Sequence, residues 1–198
     1  MTWDQRYAEP GYLFGTEPAQ FLRRVAGRIA PGARVLCLAD GEGRNSAFLA
    51  GLGFDVVAMD PSAPALDKAR ALAQARGVRV DHRLARIEDW DWAPDSFDAV
   101  VGVFIQFAPP ALRAQIHAGI ARTLRPGGLV LLHGYGPRQI GYGTGGPGDL
   151  AHLYTPDGLA ADFPGWKVLV SGSYDAVLAE GVRHVGRSAL VDFVAVKP

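Results

Sequence analysis

Two glycines and an acid, spaced along two predicted strands, are the residues of this 198-residue chain best placed for chemistry. The apolar run Val35–Leu38 leads into Gly41 and Gly43, a helical segment follows, and a second apolar run ends at Asp60. In open parallel sheets, glycines after the first strand let backbone N–H groups approach a ligand, and an acid after the second accepts hydrogen bonds from ribose hydroxyls. The spacing therefore predicts a nucleotide site.

The histidines are the next candidates for chemistry, although nothing in their spacing indicates a metal site. None of them forms a pair at ligand spacing, and the chain has no second cysteine to join them. His133 ends a predicted strand, where open α/β sheets bind ligands, so we predict it as the base if one is needed. Tyr135 and Tyr142 are predicted to line the same cavity, whereas His117 is predicted to be exposed on a helix.

Alternating strands and helices must position these residues. Hydrophobic periodicity predicts seven strands, at Arg34–Leu38, Asp55–Met59, Arg79–His82, Ala99–Val103, Leu129–His133, Trp166–Val170 and Ala189–Val196. It predicts helices at Pro18–Ile29, Gly43–Leu52, Pro64–Arg76 and Ala111–Leu124. Strand–helix–strand order implies right-handed crossovers and a mostly parallel sheet, and the last two strands, joined without a helix, imply an antiparallel hairpin. The predicted fold class is a single α/β domain with helices on both faces.

Local signals set the limits of several elements. Ser62 is a good N-cap and Gly77 a good residue just past the helix that follows it. Residues 134–148 contain seven glycines, a density that predicts an irregular loop after the fifth strand. We predict that this loop and the segment Trp3–Gly15 form a lid over a substrate pocket.

The amino-acid composition indicates which classes of partner this chain binds. Twenty basic and twenty acidic residues give a formal net charge of zero, and no run of Lys or Arg appears, so neither nucleic acid nor an anionic membrane is favoured. The single Cys37 agrees with a reducing cytoplasm, and the N-terminal residues lack the pattern of a secretion signal. We therefore expect a cytoplasmic protein with a small-molecule substrate, and the oligomeric state stays open.

Taken together, these motifs carry a family resemblance over nearly the whole length. The chain resembles class I S-adenosylmethionine-dependent methyltransferases, in particular the small ones related to tellurite-resistance and thiopurine methyltransferases. The residues that carry the resemblance are Trp3, Asp4, Arg6, Tyr7, Gly15, Pro18, Gly41–Asn45, Asp60, Glu88, Asp89, Phe97–Val101, Leu124–Gly128 and the two closing strands. It implies a Rossmann-like fold, S-adenosyl-L-methionine as cofactor, and methyl transfer to a small acceptor whose reacting group (thiol, oxyanion, amine or hydroxyl) the sequence does not resolve.

The resemblance also implies roles for individual residues. It places Asp40, Gly41 and Gly43 beneath the methionine part of the cofactor with Asn45 beside them, Asp60 on the ribose hydroxyls, Ile87 and Glu88 beside the adenine, Val103 and Phe104 near the sulfonium, and Arg6 and Tyr7 over the methionine end. By the same reasoning, residues 1–30 form an N-terminal cap, 33–133 the cofactor-binding half, and 134–198 a substrate-side loop and the C-terminal hairpin.

Two departures from the family pattern concern the glycine loop. The family usually has an acid where this chain has Cys37, and a glycine where it has Ala39. Asp40, where the family often has cysteine, is expected to supply the missing charge. Alanine adds only a methyl group and is tolerated if its φ is negative. We expect the cofactor site to be altered but intact.

Two other functions share these features. A nicotinamide-dependent oxidoreductase has the same strand–glycine–helix–acid order, but Ser46 stands where close helix packing usually asks for glycine or alanine. A non-catalytic S-adenosylmethionine-binding domain would explain Cys37 and Ala39 in the glycine motif.

Overall fold

The computed structural model describes residues 2–198, which form one seven-stranded sheet. Its strands are β1 (Arg34–Leu38), β2 (Asp55–Asp60), β3 (Asp81–Leu84), β4 (Phe97–Val103), β5 (Leu124–Tyr135), β6 (Lys167–Glu180) and β7 (His184–Val196). They lie in the order β3-β2-β1-β4-β5-β7-β6. Strands β1 to β5 run parallel, whereas β7 is antiparallel to both β5 and β6. The predicted fold class is confirmed.

Within residues 2–198, six α-helices flank this sheet: α1 (Trp3–Tyr7), α2 (Gln20–Val25), α3 (Arg44–Gly51), α4 (Ala63–Ala75), α5 (Pro110–Thr123) and α6 (Pro156–Asp162). Short 3₁₀ segments lie at Ala26–Arg28, Ile87–Asp89, Pro137–Gly141 and Leu150–His152. None of the helices described between residues 2 and 198 has the length and apolarity that crossing a membrane needs.

Both faces of the sheet are buried, because successive side chains of a strand point to opposite faces. On one face, Leu36 packs in a cluster with Ile120 of α5 and Leu159 of α6. On the other, Val35 packs with Phe21 of α2 and residues of α3. Near-continuous apolar strands are typical of a parallel sheet that is covered on both sides.

The boundaries of the first crossover units follow the local signals. Strand β1 has its predicted limits. The Ser62 side chain caps α4 by accepting the backbone N–H of Ala65 at 3.4 Å, and Gly77 has a positive φ just past the end of that helix. Strand β3 begins at Asp81, two residues later than predicted, because Asp81 is the first residue to pair with Val57 of β2.

The C-terminal hairpin is much longer than predicted. Strands β6 and β7 pair from Lys167 and Val196 to Glu180 and His184, with one irregularity between Val168 and Val170. Strand β6 is an edge strand that is half exposed, so polar residues and glycine alternate along it and weaken the strand pattern. The hairpin tip therefore extends well past the end of β5.

The glycine-rich segment is more ordered than a glycine count predicts. Strand β5 runs on to Tyr135, and a 3₁₀ segment follows at Pro137–Gly141. The Gln139 side chain fixes this segment because its Oε1 accepts the backbone N–H of Ala189 at 2.9 Å, and its Nε2 donates to the Gly145 carbonyl at 3.0 Å. The prediction of an irregular loop over the whole of 134–148 was wrong.

Candidate functional site

A cavity of about 900 Å³ opens at the carboxyl ends of β1, β2 and β4. Its volume falls within the range typical of small-molecule and cofactor pockets. The predicted site residues that line it are Arg6, Tyr7, Asp40, Gly41, Asn45, Asp60, Ile87, Glu88, Val103, Phe104 and Tyr135. Gly43, His133 and Tyr142 lie outside the lining.

The carboxylate of Asp60 lies against the tip of the glycine turn. Its Oδ2 accepts the backbone N–H of Gly41 at 2.9 Å, and its Oδ1 accepts the backbone N–H of Ser62 at 2.9 Å. Burial raises the pKa of Asp60, and these two hydrogen bonds act against that rise. Because each carboxylate oxygen has a second lone pair, Asp60 retains the capacity to accept hydrogen bonds from a ligand.

The turn after β1 has an unusual backbone. Gly41 and Gly43 have φ values of +61° and +85°, which glycine adopts without strain. Ala39 also has a positive φ, of +44°. The condition under which alanine was expected to be harmless, a negative φ, is therefore not met, and a left-handed conformation costs a non-glycine residue about 1–2 kcal/mol.

Gly41 and Gly43 have different structural roles in the turn. A Cβ at Gly43 would lie 2.6 Å from the Ala69 Cβ, so this glycine lets the turn pack closely against α4. A Cβ at Gly41 would lie 2.9 Å from the Tyr7 hydroxyl, on the cavity side. Gly41 is therefore a cavity residue, whereas Gly43 lies in a helix contact.

Asp40 is a partly buried acid, and one of its carboxyl oxygens is buried and free. Its Oδ2 has no hydrogen-bond partner among residues 2–198. Burial raises the pKa of Asp40 to about 7, with a further rise from the charge of Asp60. Burial and the charges of Asp60, Glu42 and Asp40 also raise the pKa of the Tyr7 hydroxyl. This end of the cavity is consequently suited to a positively charged group.

Glu42 anchors the N-terminal segment above the turn, a role that sequence reasoning missed. The Glu42 side chain is buried and accepts the backbone N–H of Leu13 at 2.7 Å. Lys68 of α4 pairs with Glu42 at 3.0 Å and also donates to the carbonyl of Gly11. The segment that carries Trp3 and Tyr7 is held over the cavity by these contacts.

The tip of the C-terminal hairpin closes the cavity from the other side. Glu180 forms a buried ion pair with Arg44 at 2.8 Å. The backbone N–H of Val182 donates to the Leu13 carbonyl at 2.9 Å. Although burial alone would raise the pKa of Glu180, His184 and Arg44 bring it down to about 2.

Aromatic rings form the wall beneath this tip. The Phe104 ring centroid lies 4.2 Å from that of His184 and 4.7 Å from that of Tyr135, and the Phe14 ring is 4.4 Å from His184. Within the described part of the chain, the Tyr135 hydroxyl and the His184 Nδ1 are buried without a hydrogen-bond partner. Both residues line the cavity. This wall combines flat apolar surface with two uncommitted polar groups.

The glycine turn and strands β2 to β4 lie within a stretch that matches a known domain family. Residues 35–128 match the family described as methyltransferase domain. This stretch is just under half of the chain. The match supports the family of the resemblance, the class I S-adenosylmethionine-dependent methyltransferases.

Individual relatives agree with this assignment. The chain is similar to the ubiquinone biosynthesis O-methyltransferase of Xanthomonas campestris, with 39% identity over 110 residues, which are 54% of this chain and 46% of that protein. The chain spans less than half the length of the curated relatives it matches.

Solved structures extend the likeness from the domain to the whole chain. TehB from Haemophilus influenzae has a TM-score of 0.74 at 17% identity, covering 99% of this chain and 66% of that chain. An S-adenosylmethionine-dependent methyltransferase from Methanosarcina mazei has a TM-score of 0.72 at 16% identity, covering 87% and 96%. At these identities the likeness shows a common fold.

His133 and Tyr142 do not line the cavity. The alternation along β5 directs His133 to the α2 face, where its ring stacks on Phe21 at 5.0 Å and its Nδ1 lies 2.7 Å from Asp192 Oδ1. The Tyr142 hydroxyl donates to Asp175 of β6 at 2.7 Å, outside the cavity. The structure therefore brings Tyr135 to the cavity and leaves the other two predicted catalytic residues apart from it.

Other histidines also differ from expectation. His117, predicted to be exposed, is 2% exposed and its Nδ1 lies 2.8 Å from Asp162. Across residues 2–198, no group of three His, Cys, Asp or Glu side chains is placed to hold a metal ion. His184 lines the cavity, and sequence reasoning missed it because only metal-ligand spacing and strand ends were used to select histidines.

Proposed function

We propose that this chain transfers a methyl group from S-adenosyl-L-methionine to a small-molecule acceptor. The observation that carries the proposal is the 2.9 Å hydrogen bond between the Gly41 N–H and the Asp60 carboxylate, at the edge of a large cavity. The glycine turn and Asp60 lie by the point where the strand order of the sheet reverses, which is where open α/β sheets bind nucleotides. The match of residues 35–128 to a methyltransferase domain family supports the same ligand class.

The residues present fit this cofactor. Asp60 would accept the ribose hydroxyls, Ile87 and Glu88 would flank the adenine, and Val103 and Phe104 would lie near the sulfur. The free Oδ2 of Asp40 would bind the ammonium, with Tyr7, Asn45 and Arg6 around the methionine end and the Gly41–Gly43 turn beneath it. The cofactor has positive charge on both its sulfur and its ammonium, which suits a wall that contains the carboxyl groups of Asp40 and Asp60.

The chain's own contribution to catalysis is placement and exclusion of water. The bound cofactor supplies an activated methyl group on a positively charged sulfur. Holding the acceptor in line with that group is worth about 7–11 kcal/mol in favourable systems. The segment Trp3–Gly15 and residues 145–148 of the glycine-rich segment both contribute to the cavity wall, which supports their predicted role as a lid.

Two regions of the cavity are named from this proposal. The cofactor half is formed by Asp40, Gly41, Asp60, Ile87 and Val103, and it belongs to the proposed cofactor-binding part, residues 33–133. The acceptor half is formed by Phe14, Phe104, Tyr135 and His184, most of it from the cap and from residues 134–198. The small tellurite-resistance and thiopurine-like subgroup is part of the proposal, supported by the overlap with TehB at the level of the fold.

The second candidate function is a cofactor-binding domain without transfer. The positive φ of Ala39 favours it, because strain in the glycine turn opposes tight cofactor binding. A nicotinamide-dependent oxidoreductase has no comparable support, since the family match is to methyltransferases.

Isothermal titration calorimetry with S-adenosylhomocysteine, S-adenosylmethionine and NADH tests the proposal. We expect both sulfur nucleosides to bind and NADH not to bind. Asp60→Ala should weaken binding by about 1–3 kcal/mol, the cost of removing a charged hydrogen-bond acceptor. Asp55→Ala, at the exposed start of the same strand, is the matched control and should bind normally. Unchanged affinity in folded Asp60→Ala would contradict the proposal.

A further inference from the structure

We propose that the acceptor is an aromatic ring bearing a neutral hydroxyl, and that His184 is the base that takes its proton. This inference rests on the proposed methyl transfer. It adds a catalytic residue from the hairpin tip and a substrate class, both drawn from the geometry of the acceptor half.

The position of His184 suits a base that acts in a closed site. Its side chain is 11% exposed and lies between the rings of Phe14 and Phe104. Nδ1 lies 3.7 Å from Glu180 Oε2, too far for a hydrogen bond but within ion-pair distance. Nε2, on the opposite side of the ring, is the nitrogen left to receive a proton. Glu180 is a positioning residue that favours the imidazolium once the proton arrives.

Charges around His184 keep it neutral until it is needed. Glu180 of β6 and Arg44 of α3 form a buried pair at 2.8 Å, and the Tyr135 ring lies 5.9 Å from the His184 ring. Phe104 packs between His184 and His133 of β5. Burial lowers the pKa of His184, Arg44 and His133 lower it further, and Glu180 acts in the opposite direction. A neutral imidazole at neutral pH has a free lone pair, which general-base catalysis requires.

The walls select for an uncharged aromatic acceptor. Phe14, Phe104 and Tyr135 offer ring faces and edges, the geometry in which aromatic groups stack. Tyr135 is 2% exposed, and its buried hydroxyl has no hydrogen-bond partner from Thr2 to Pro198. This hydroxyl is therefore free to form a hydrogen bond with the hydroxyl of an acceptor. Arg44 is already neutralised by Glu180, so the buried part of this wall has no unpaired charge for a charged acceptor. Arg183 and Asp149 also line the cavity, but both are exposed to solvent, which weakens their interaction with a bound charge.

The proposed step balances in atoms and charge. The acceptor oxygen forms a bond to the methyl carbon while the carbon–sulfur bond breaks, and the electron pair of that bond stays on sulfur. The hydroxyl proton moves to Nε2 of His184, which later releases it to solvent. The products are an aryl methyl ether, S-adenosylhomocysteine and one proton.

The test compares two acceptors of the same shape, phenol and thiophenol, in methyl-transfer assays at pH 8. Thiophenol ionises without help at this pH, so only phenol needs the base. We expect His184→Gln to lower transfer to phenol by about 100-fold or more, the typical contribution of a general base, and transfer to thiophenol by less than about threefold. His82→Gln, at a half-buried residue of the otherwise exposed strand β3, is the matched control. Equal losses with both acceptors, or transfer to thiophenol with none to phenol, would overturn the inference.

Two readouts separate a base from a merely structural histidine. The rate with phenol should rise with pH through a pKa below the ordinary histidine value, and Glu180→Gln should move that rise to lower pH because Glu180 favours the protonated ring. Phenol added to the S-adenosylhomocysteine complex of the unaltered chain should shift the His184 ring resonance in NMR spectra, whereas benzoate should not. Absence of the phenol shift with the nucleoside bound overturns this inference alone; failure to bind the nucleoside overturns the proposed function too.

Discussion

The cofactor half of the cavity is held by backbone contacts inside two consecutive crossover units, whereas the acceptor half is assembled from distant segments. Asp60 reaches Gly41, nineteen residues away, by one hydrogen bond. Beside the acceptor half, Arg44 and Glu180 are 136 residues apart in the sequence, and their ion pair fixes the hairpin tip that carries His184. The comparison teaches that one half is built into the fold, and that the other depends on side chains which can vary.

The largest effect on the free energy of unfolding should come from breaking the ion pair between Arg44 and Glu180. Arg44→Met leaves Glu180 buried without its partner, and removing one member of a buried pair costs about 3–5 kcal/mol. Urea denaturation measures the free energy of unfolding. Arg23→Met, which breaks an exposed ion pair with Glu17, is the control and should cost less than about 1 kcal/mol. Equal losses of stability in the two variants would contradict the claim that the buried ion pair to the hairpin contributes more than an exposed one.

The free energy of unfolding should depend on pH because of Asp40, in the cofactor half. The pKa of Asp40 is raised to about 7, so between about pH 4 and 7 the folded chain holds a proton that the unfolded chain has released. Stability contributed by this group is therefore present below pH 4 and is lost as pH rises to 7, by on the order of 4 kcal/mol at most.

Urea denaturation at several pH values checks this dependence. Asp40→Asn should flatten the decline in the free energy of unfolding between pH 4 and 7, whereas Asp55→Asn, on the exposed end of β2, should leave it unchanged. An identical decline in Asp40→Asn and the unaltered chain would contradict the account of Asp40.

The smallest effect should come from the altered glycine turn. Ala39→Gly removes the left-handed strain and should raise the free energy of unfolding by about 0.5–1 kcal/mol, after the greater entropy of glycine in the unfolded chain is counted. Ala30→Gly, at an exposed residue without a positive φ, should lower stability slightly. If Ala39→Gly destabilised the chain as much as Ala30→Gly does, the turn would not be strained.

The sequence was a good guide to the cofactor half because its signals are local. Apolar runs, turn glycines and the Ser62 cap mark β1, β2 and α4 within a residue or two. The φ of Ala39 was not predictable, since it depends on how the turn meets β2, where the Ala39 N–H contacts Met59 Sδ at 3.3 Å.

The acceptor half was predicted poorly because its signals are long-range. No local pattern links Arg44 to Glu180 or brings His184 beside Phe104. The position of His133 was within reach of sequence reasoning, because the alternation Leu129, Leu131, His133 assigns it to the face that packs on Phe21. Strand ends alone were therefore an insufficient guide to catalytic residues.

A crystal structure of the chain with S-adenosylhomocysteine tests the central claim most directly. The account predicts that the ribose hydroxyls are bonded to the Asp60 carboxylate beside Gly41, and that the sulfur faces Phe104 and the wall that contains His184. A nucleoside bound elsewhere, or a ribose out of reach of Asp60, would contradict it.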